Sequence, residues 1–147
     1  MVRFPVSLCV GVAAVALAVA LIASTPPASA GIPDLVGGWI NADHAARDLA
    51  QLTIHMEGGQ LMVHAWGACR PNDCDWGEVP AHVFTPNVAI AADVGANAAI
   101  AEFDQHGIST MVLLQTNAGE LQYKLFTIFP DGSTRTDYHV SGHMLRR

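Results

Sequence analysis

The chain has 147 residues, of which 51% are hydrophobic and 14% are charged, and its formal net charge at pH 7 is −6. This length suits a single domain. The chain is acidic and carries no basic stripe, so it lacks the positive surface that nucleic-acid phosphates require, and nucleic acid is excluded as a partner.

Residues 1–30 have the pattern of a secretory signal peptide. Arg3 precedes an almost entirely apolar run over residues 6–23, and the segment ends in Ala28-Ser29-Ala30. A basic start, an apolar run and an A-x-A site are typical of a cleaved leader, although the run is also long enough to be an uncleaved anchor. We expect a signal peptide over residues 1–30 and one domain over residues 31–147. That domain would be secreted, or periplasmic on the cell-envelope exterior, with no membrane contact after cleavage.

The first part of the expected domain contains a predicted β-hairpin. Residues 51–57 and 60–66 alternate between apolar and polar side chains on either side of Gly58-Gly59. This glycine pair is a strong hairpin signal because glycine accepts the positive φ of tight turns. With Glu57 opposite Gln60, one apolar face would hold the pairs Leu52–Ala65, Ile54–Val63 and Met56–Leu61. A period of two then places His64 and Trp66 together on the other face.

Strand patterns continue to the end of the chain. Pro86 predicts a break or an edge, and turns are expected at His106-Gly107, at residues 117–119 and at Pro130-Asp131-Gly132. About eight short strands with sequential turns predict an all-β domain, an up-and-down antiparallel barrel. A closed barrel of eight strands has an interior that is filled by side chains or holds one small ligand.

The segment from His64 to Pro80 concentrates the chemically distinctive residues. After loss of the leader, Cys69 and Cys74 are the remaining cysteines, and in an oxidising compartment they are expected to form a disulfide. The alternative is a metal-binding pair, but a structural zinc site needs four ligands and no second cysteine pair exists. His64, Asp73 and Asp75 offer nitrogen and oxygen ligands without a recognised metal spacing, so we predict no metal and no cofactor.

Three sequence segments resemble, in order, a largely uncharacterised family of small secreted bacterial β-domains. They are "GGWINAD", "VHAWGACRPNDCDWG" and "FPDGSTR" with the terminal strand and arginines. The resemblance implies export and a β-fold, and it transfers no activity. The chain departs from the family's usual pattern before Pro71, where Ala68 and Arg70 replace a basic residue and a histidine. The Gly38-Trp39 opening is also similar to that of lipocalins and other calycins, which, with the avidins, are up-and-down barrels.

The central segment supports a binding hypothesis and a structural one. In the first, aromatic faces and a few polar groups form a rigid lip for a small molecule, a glycan or a surface polymer. The candidate ligand-binding residues are Trp39, His64, Trp66, Arg70, Asp73, Asp75 and Trp76. In the second, the turn-forming residues and the disulfide only shape the loop, and the tryptophans plug the barrel.

Two further functions remain open. Asp73 and Asp75 could act as the carboxylate pair of a small extracellular hydrolase, or the stapled loop could present Trp76 to a protein partner as an inhibitor module. The sequence has no G-x-S-x-G motif. A disulfide between the two cysteines would leave no thiol nucleophile. We therefore lean away from an enzyme and assign no catalytic residue.

Overall fold

The computed structural model describes residues 31–147. The predicted signal peptide over residues 1–30 lies outside the described residues and stays a prediction. Within residues 31–147, no helix is both long enough and apolar enough to cross a membrane.

Eight antiparallel strands form a closed barrel in which each strand pairs with its neighbours in sequence and the last pairs with the first. The predicted eight-stranded up-and-down barrel is therefore confirmed. The strands are β1 Gly37–Asn41, β2 Leu49–Glu57, β3 Gln60–Gly67, β4 Cys74–Phe84, β5 Ala98–Gln105, β6 Ile108–Asn117, β7 Glu120–Ile128 and β8 Tyr138–Arg146. The two short helices are α1 Ile32–Leu35 and α2 Ala92–Gly95.

The β2–β3 hairpin has the predicted register. Glu57 pairs with Gln60 across Gly58-Gly59, whose φ values are 56° and 85°. The residues of the predicted apolar face are buried, apart from Met56 at the tip of the hairpin, which is 41% exposed. A glycine pair thus determines which face of both strands enters the core.

One end of the barrel is closed by α1. Leu35 is fully buried, and its carbonyl accepts a hydrogen bond from Trp39 Nε1 at 2.9 Å. The Arg146 guanidinium donates to the carbonyls of Val36 and Asp34 at 2.7 and 2.9 Å and lies 4.4 Å from the centre of a Trp39 ring. The last strand therefore holds the helix over the end of the barrel.

Two loops differ from the simplest expectation. Strand β4 ends at Phe84, two residues before Pro86, and the chain continues through a loop into α2. The expected turn at residues 130–132 is part of a longer loop over residues 129–137. In that loop Arg135 pairs with Asp131, whereas Asp137 accepts a hydrogen bond from the Phe129 amide at 3.0 Å.

Gly142 in β8 is the point where the barrel wall leaves room for the Tyr123 ring. A Cβ at this position would lie 2.6 Å from the tyrosine oxygen and 2.7 Å from two ring carbons. Since Tyr123 is only 3% exposed, its ring has little freedom to move away.

The substitution Gly142→Ala should therefore lower the free energy of unfolding by about 1–3 kcal/mol, the usual cost of overpacking a core. Urea titration of the oxidised protein measures this change. Gly38→Ala is the matched control, because a Cβ at Gly38 would meet its nearest atom at 3.6 Å, an ordinary contact. Equal stability of the two variants would contradict the tight fit of Tyr123.

Candidate functional site

A cavity of about 550 Å³ opens at the barrel end opposite α1. In an up-and-down barrel the β1–β2, β3–β4, β5–β6 and β7–β8 connections meet at one end, which we call the mouth. The cavity is lined by Arg47, Asp48, Gly67, Ala68, Cys69, Cys74, Asp75, Trp76, Phe103, Gln105, His106, Ile108, Thr110, Leu125, Thr127, Phe129 and Tyr138. Its lining is mostly apolar, with polar groups at the rim and among the inner walls.

Trp76 enters this cavity because of a bulge in β4. Ala65 pairs with Gly77 and Trp66 pairs with Asp75, so Trp76 is an extra residue without a partner on β3. Gly77 has a φ of 82°, which lets the backbone make this turn. The extra residue reverses the alternation, so Asp75 lies on the outer side and Trp76 on the inner side.

The Trp76 indole lies directly over Gly67. A Cβ at Gly67 would be 2.6 Å from Trp76 Nε1, so only glycine fits below this ring. On its other side Trp76 meets Phe103 edge-on, with ring centroids 5.8 Å apart. The two rings form an aromatic corner, and such edge-to-face pairs are favourable beyond the area they bury.

The predicted disulfide between Cys69 and Cys74 is confirmed, with the two Cα atoms 5.4 Å apart. It joins the ends of the β3–β4 loop at the edge of the cavity. Within residues 31–147, the Arg70 side chain makes no hydrogen bond or ion pair, and Asp75 pairs with His64. Asp73 borders a separate depression beside Asn41 and Asp43.

A set of hydrogen-bonded polar side chains connects the cavity wall to the core. Asn41 Nδ2 donates to the Leu49 carbonyl at 2.6 Å and to the Tyr123 hydroxyl at 2.9 Å. That hydroxyl donates to the Asp48 carboxylate, whose oxygens are 3.1 and 3.2 Å away. Burial raises the pKa of Tyr123 to about 12, and the negative charge of Asp48 acts in the same direction. Tyr123 is therefore a neutral hydrogen-bond donor that fixes Asp48.

His64 and Trp66 lie together on the outer wall, as the alternation of β3 predicts. Their rings stack with centroids 3.9 Å apart and an interplanar angle of 5°. His64 Nε2 is 2.6 Å from Asp75 Oδ1, which also accepts the Gly77 amide at 2.7 Å. The Gly77 amide, and then the His64 hydrogen bond, hold the pKa of Asp75 below its usual range.

The seven candidate ligand-binding residues do not form one site. Trp76 lines the cavity and Asp75 stands at its rim. His64 and Trp66 face outward, Arg70 and Asp73 lie in the exposed loop, and Trp39 is 1% exposed in the core near the closed end. Residues of the central segment thus lie on both the inner and the outer side of the barrel wall.

The sequence-based prediction missed most of the cavity lining. Phe103 and Leu125 occupy positions of the alternating pattern that point into the barrel. The sequence therefore contained the signal that places them in the interior. Asp48 lies in the loop between β1 and β2, and Tyr138 directly follows the loop between β7 and β8. At such positions the alternation of apolar and polar residues does not predict which way a side chain points. No family model matches the chain, and no curated protein or solved structure is similar enough to count as a match.

The buried Tyr123 hydroxyl leads to a pH-dependent prediction. Its pKa rises from 10.0 to about 12 in the folded protein, so its contribution to stability is complete below pH 10 and is lost as the pH rises through about 12. Urea unfolding between these limits should show a larger loss of stability in the parent protein than in Tyr123→Phe. The difference in phenolate absorbance between the two proteins gives the midpoint directly, and a midpoint near 10 would contradict the burial of this group.

Proposed function

We propose that the domain binds one small, largely apolar molecule in the mouth of the barrel and performs no chemistry on it. The observation that carries this proposal is the cavity of about 550 Å³ at the mouth of the barrel. Small-molecule sites are typically concave, mostly apolar and about 300–1,000 Å³ in volume. The closed end, where Leu35 is fully buried, favours a single compact ligand over a polymer chain that passes through.

The lining indicates the chemistry of this ligand. The aromatic corner of Trp76 and Phe103 suits a planar or ring-shaped apolar group. Thr110 and Thr127 bring hydroxyl groups into the interior, where they are 8% and 4% exposed. Such hydroxyls can donate or accept one directional hydrogen bond. A ligand with an apolar ring system and a neutral polar substituent fits these features best.

The geometry argues against the two other functions that the sequence left open. A glycoside hydrolase needs a carboxylic acid whose pKa is raised, whereas that of Asp75 is lowered and its carboxylate is bound to His64 on the outer wall. A protruding anchor for a protein partner would need a convex, exposed tryptophan. Trp76 is partly buried and lines the cavity.

The same proposal places the domain outside the cytoplasm, secreted or at the exterior of the cell envelope. The leader pattern of residues 1–30 supports export, and the Cys69–Cys74 disulfide is typical of an oxidising compartment. We expect protein collected outside the cell to begin at Gly31 and to show no reaction with thiol reagents under non-reducing conditions. Intact mass before and after alkylation measures both properties, and free thiols on the exported protein would contradict this placement.

Ligand binding can be tested by filling the cavity. Ile108 lines the mouth, so Ile108→Trp should occupy the space and weaken binding of anilinonaphthalene sulfonate, a fluorescent probe with an apolar ring system and one sulfonate group, by about tenfold or more. Ile128→Trp is the matched control, since Ile128 is 46% exposed and does not line the cavity. Dye fluorescence measures the affinity, and near-ultraviolet dichroism checks that all three proteins remain folded.

A thermal-shift screen then identifies the class of natural ligand. Compounds that bind only the folded form raise its melting temperature, so ring-containing apolar molecules should stabilise the parent protein and Ile128→Trp but not Ile108→Trp. Equal dye binding by all three proteins would overturn the cavity as the binding site. A strong shift with soluble oligosaccharides alone would favour the glycan alternative.

A further inference from the structure

We infer that the outer wall of the barrel carries a binding site for a borderline divalent cation of the Zn²⁺ class, formed by His55, His64 and Glu78 with Glu57 beside them. We call these residues and Asp75 the outer-wall cluster. The site faces away from the ligand cavity, on strands β2, β3 and β4, and it is independent of the function proposed above.

Strand register brings the nitrogen and oxygen groups together. His64 pairs directly with Glu78 on β4 and with Thr53 on β2, so His55 is its diagonal neighbour on the same face. Long side chains on directly opposed and diagonal positions of a sheet reach one another. Three neighbouring strands therefore direct imidazole and carboxylate groups to one small area.

Glu78 lies close to both histidines, and Glu57 lies close to His55 and Glu78. Glu78 Oε2 is 3.7 Å from His55 Nδ1 and 4.0 Å from His64 Nδ1, so it lies between the two rings. Ligand atoms of His55, Glu57 and Glu78 all lie within 4.8 Å of one another. Tetrahedral zinc ligands are separated by about 3.3 Å, given bonds of about 2.0–2.1 Å. His64 lies outside this mutually close trio, so an ion bound by all of these groups would draw their side chains together.

His64 is held with the correct nitrogen toward Glu78. An ionised Asp75 can only accept, so Nε2 of His64 carries the proton of their 2.6 Å hydrogen bond. A neutral His64 then has its lone pair on Nδ1, the atom that faces Glu78. A carboxylate that binds the far nitrogen is the usual support of a metal-bound histidine. Stacking on Trp66 further fixes the ring plane.

Charge also favours a cation at this position. Glu57, Asp75 and Glu78 bring three carboxylates to one face, and within residues 31–147 the ion pairs of Asp75 and Glu78 all involve histidine, with no lysine or arginine. Mixed imidazole and carboxylate ligands select zinc, copper or nickel ions, whereas calcium and magnesium prefer oxygen ligands alone.

The test uses the exported, oxidised protein purified without a polyhistidine tag. Calorimetric titration with Zn²⁺ should show about one ion per chain, while Ca²⁺ should give no signal. His55→Gln and Glu78→Gln each remove a ligand and should weaken Zn²⁺ binding by about tenfold or more. Asp75→Asn removes the support of His64 and one negative charge of the cluster, so it should weaken binding by about 10–100-fold while leaving every ligand in place.

His143→Gln is the matched control. His143 Nδ1 lies 3.8 Å from Glu120 Oε2 on the same outer surface, and among the described residues this ion pair includes no second histidine. Its loss should leave Zn²⁺ affinity unchanged. A second measurement uses Cu²⁺, which quenches a nearby indole, so Trp66→Phe should remove most of the quenching.

Two results would overturn the site. One is absence of Zn²⁺ binding at millimolar concentration, which would leave the cluster as a set of surface ion pairs. The other is binding that His55→Gln and Glu78→Gln do not weaken, or that His143→Gln weakens equally, because the ion would then be held elsewhere on the surface. Folding of each variant is checked by its dichroism spectrum before titration.

Discussion

The pairing of β1 with β8 is the interaction on which the rest of the structure depends. Three residue pairs, Trp39–Arg146, Ile40–Leu145 and Asn41–Met144, join the first strand to the last. Closure leaves no strand edge open to other chains. It also directs alternate residues of every strand to one interior, which creates both the core and the cavity. The same strand end carries Arg146, whose hydrogen bonds to α1 close the bottom of the barrel.

The two ends of the barrel differ because their inward residues differ in size. Near the closed end, Leu35 and Trp39 fill the interior and are almost fully buried. Toward the mouth the inward positions include Thr110 and Thr127, whose short side chains leave volume unfilled. The cavity is therefore a consequence of small residues at particular inward positions.

Local pattern was sufficient to predict much of this fold. The Gly58-Gly59 turn defined the β2–β3 register, and strict alternation then separated the core face from the face of His64 and Trp66. The expected oxidising compartment was sufficient to predict a disulfide between Cys69 and Cys74. These predictions succeed because each depends on residues close together in the sequence.

The candidate sites were harder to predict because each depends on contacts between distant strands. Whether Trp76 points inward follows from one extra residue opposite β3, and a bulge of this kind has no unique sequence pattern. The outer-wall cluster requires the registers of β2, β3 and β4 together, since Glu78 approaches His55 from two strands away. The sequence-based hypothesis placed the residues of the central segment in one binding lip, whereas the barrel wall separates them.

That separation accounts for the unusual composition of the central segment. Asp75 and Trp76 are neighbours, yet the bulge sends the carboxylate outward to His64 and the indole inward over Gly67. The inner side needs a glycine, Gly67, to make room for the indole. The outer side needs a hydrogen-bond acceptor, Asp75, to hold the His64 imidazole. The disulfide from Cys69 to Cys74 holds the residue before Asp75 at the β3–β4 loop. The backbone that leads into the bulge is therefore constrained. One short strand segment therefore positions groups both at the cavity and at the outer-wall cluster, the two sites proposed above.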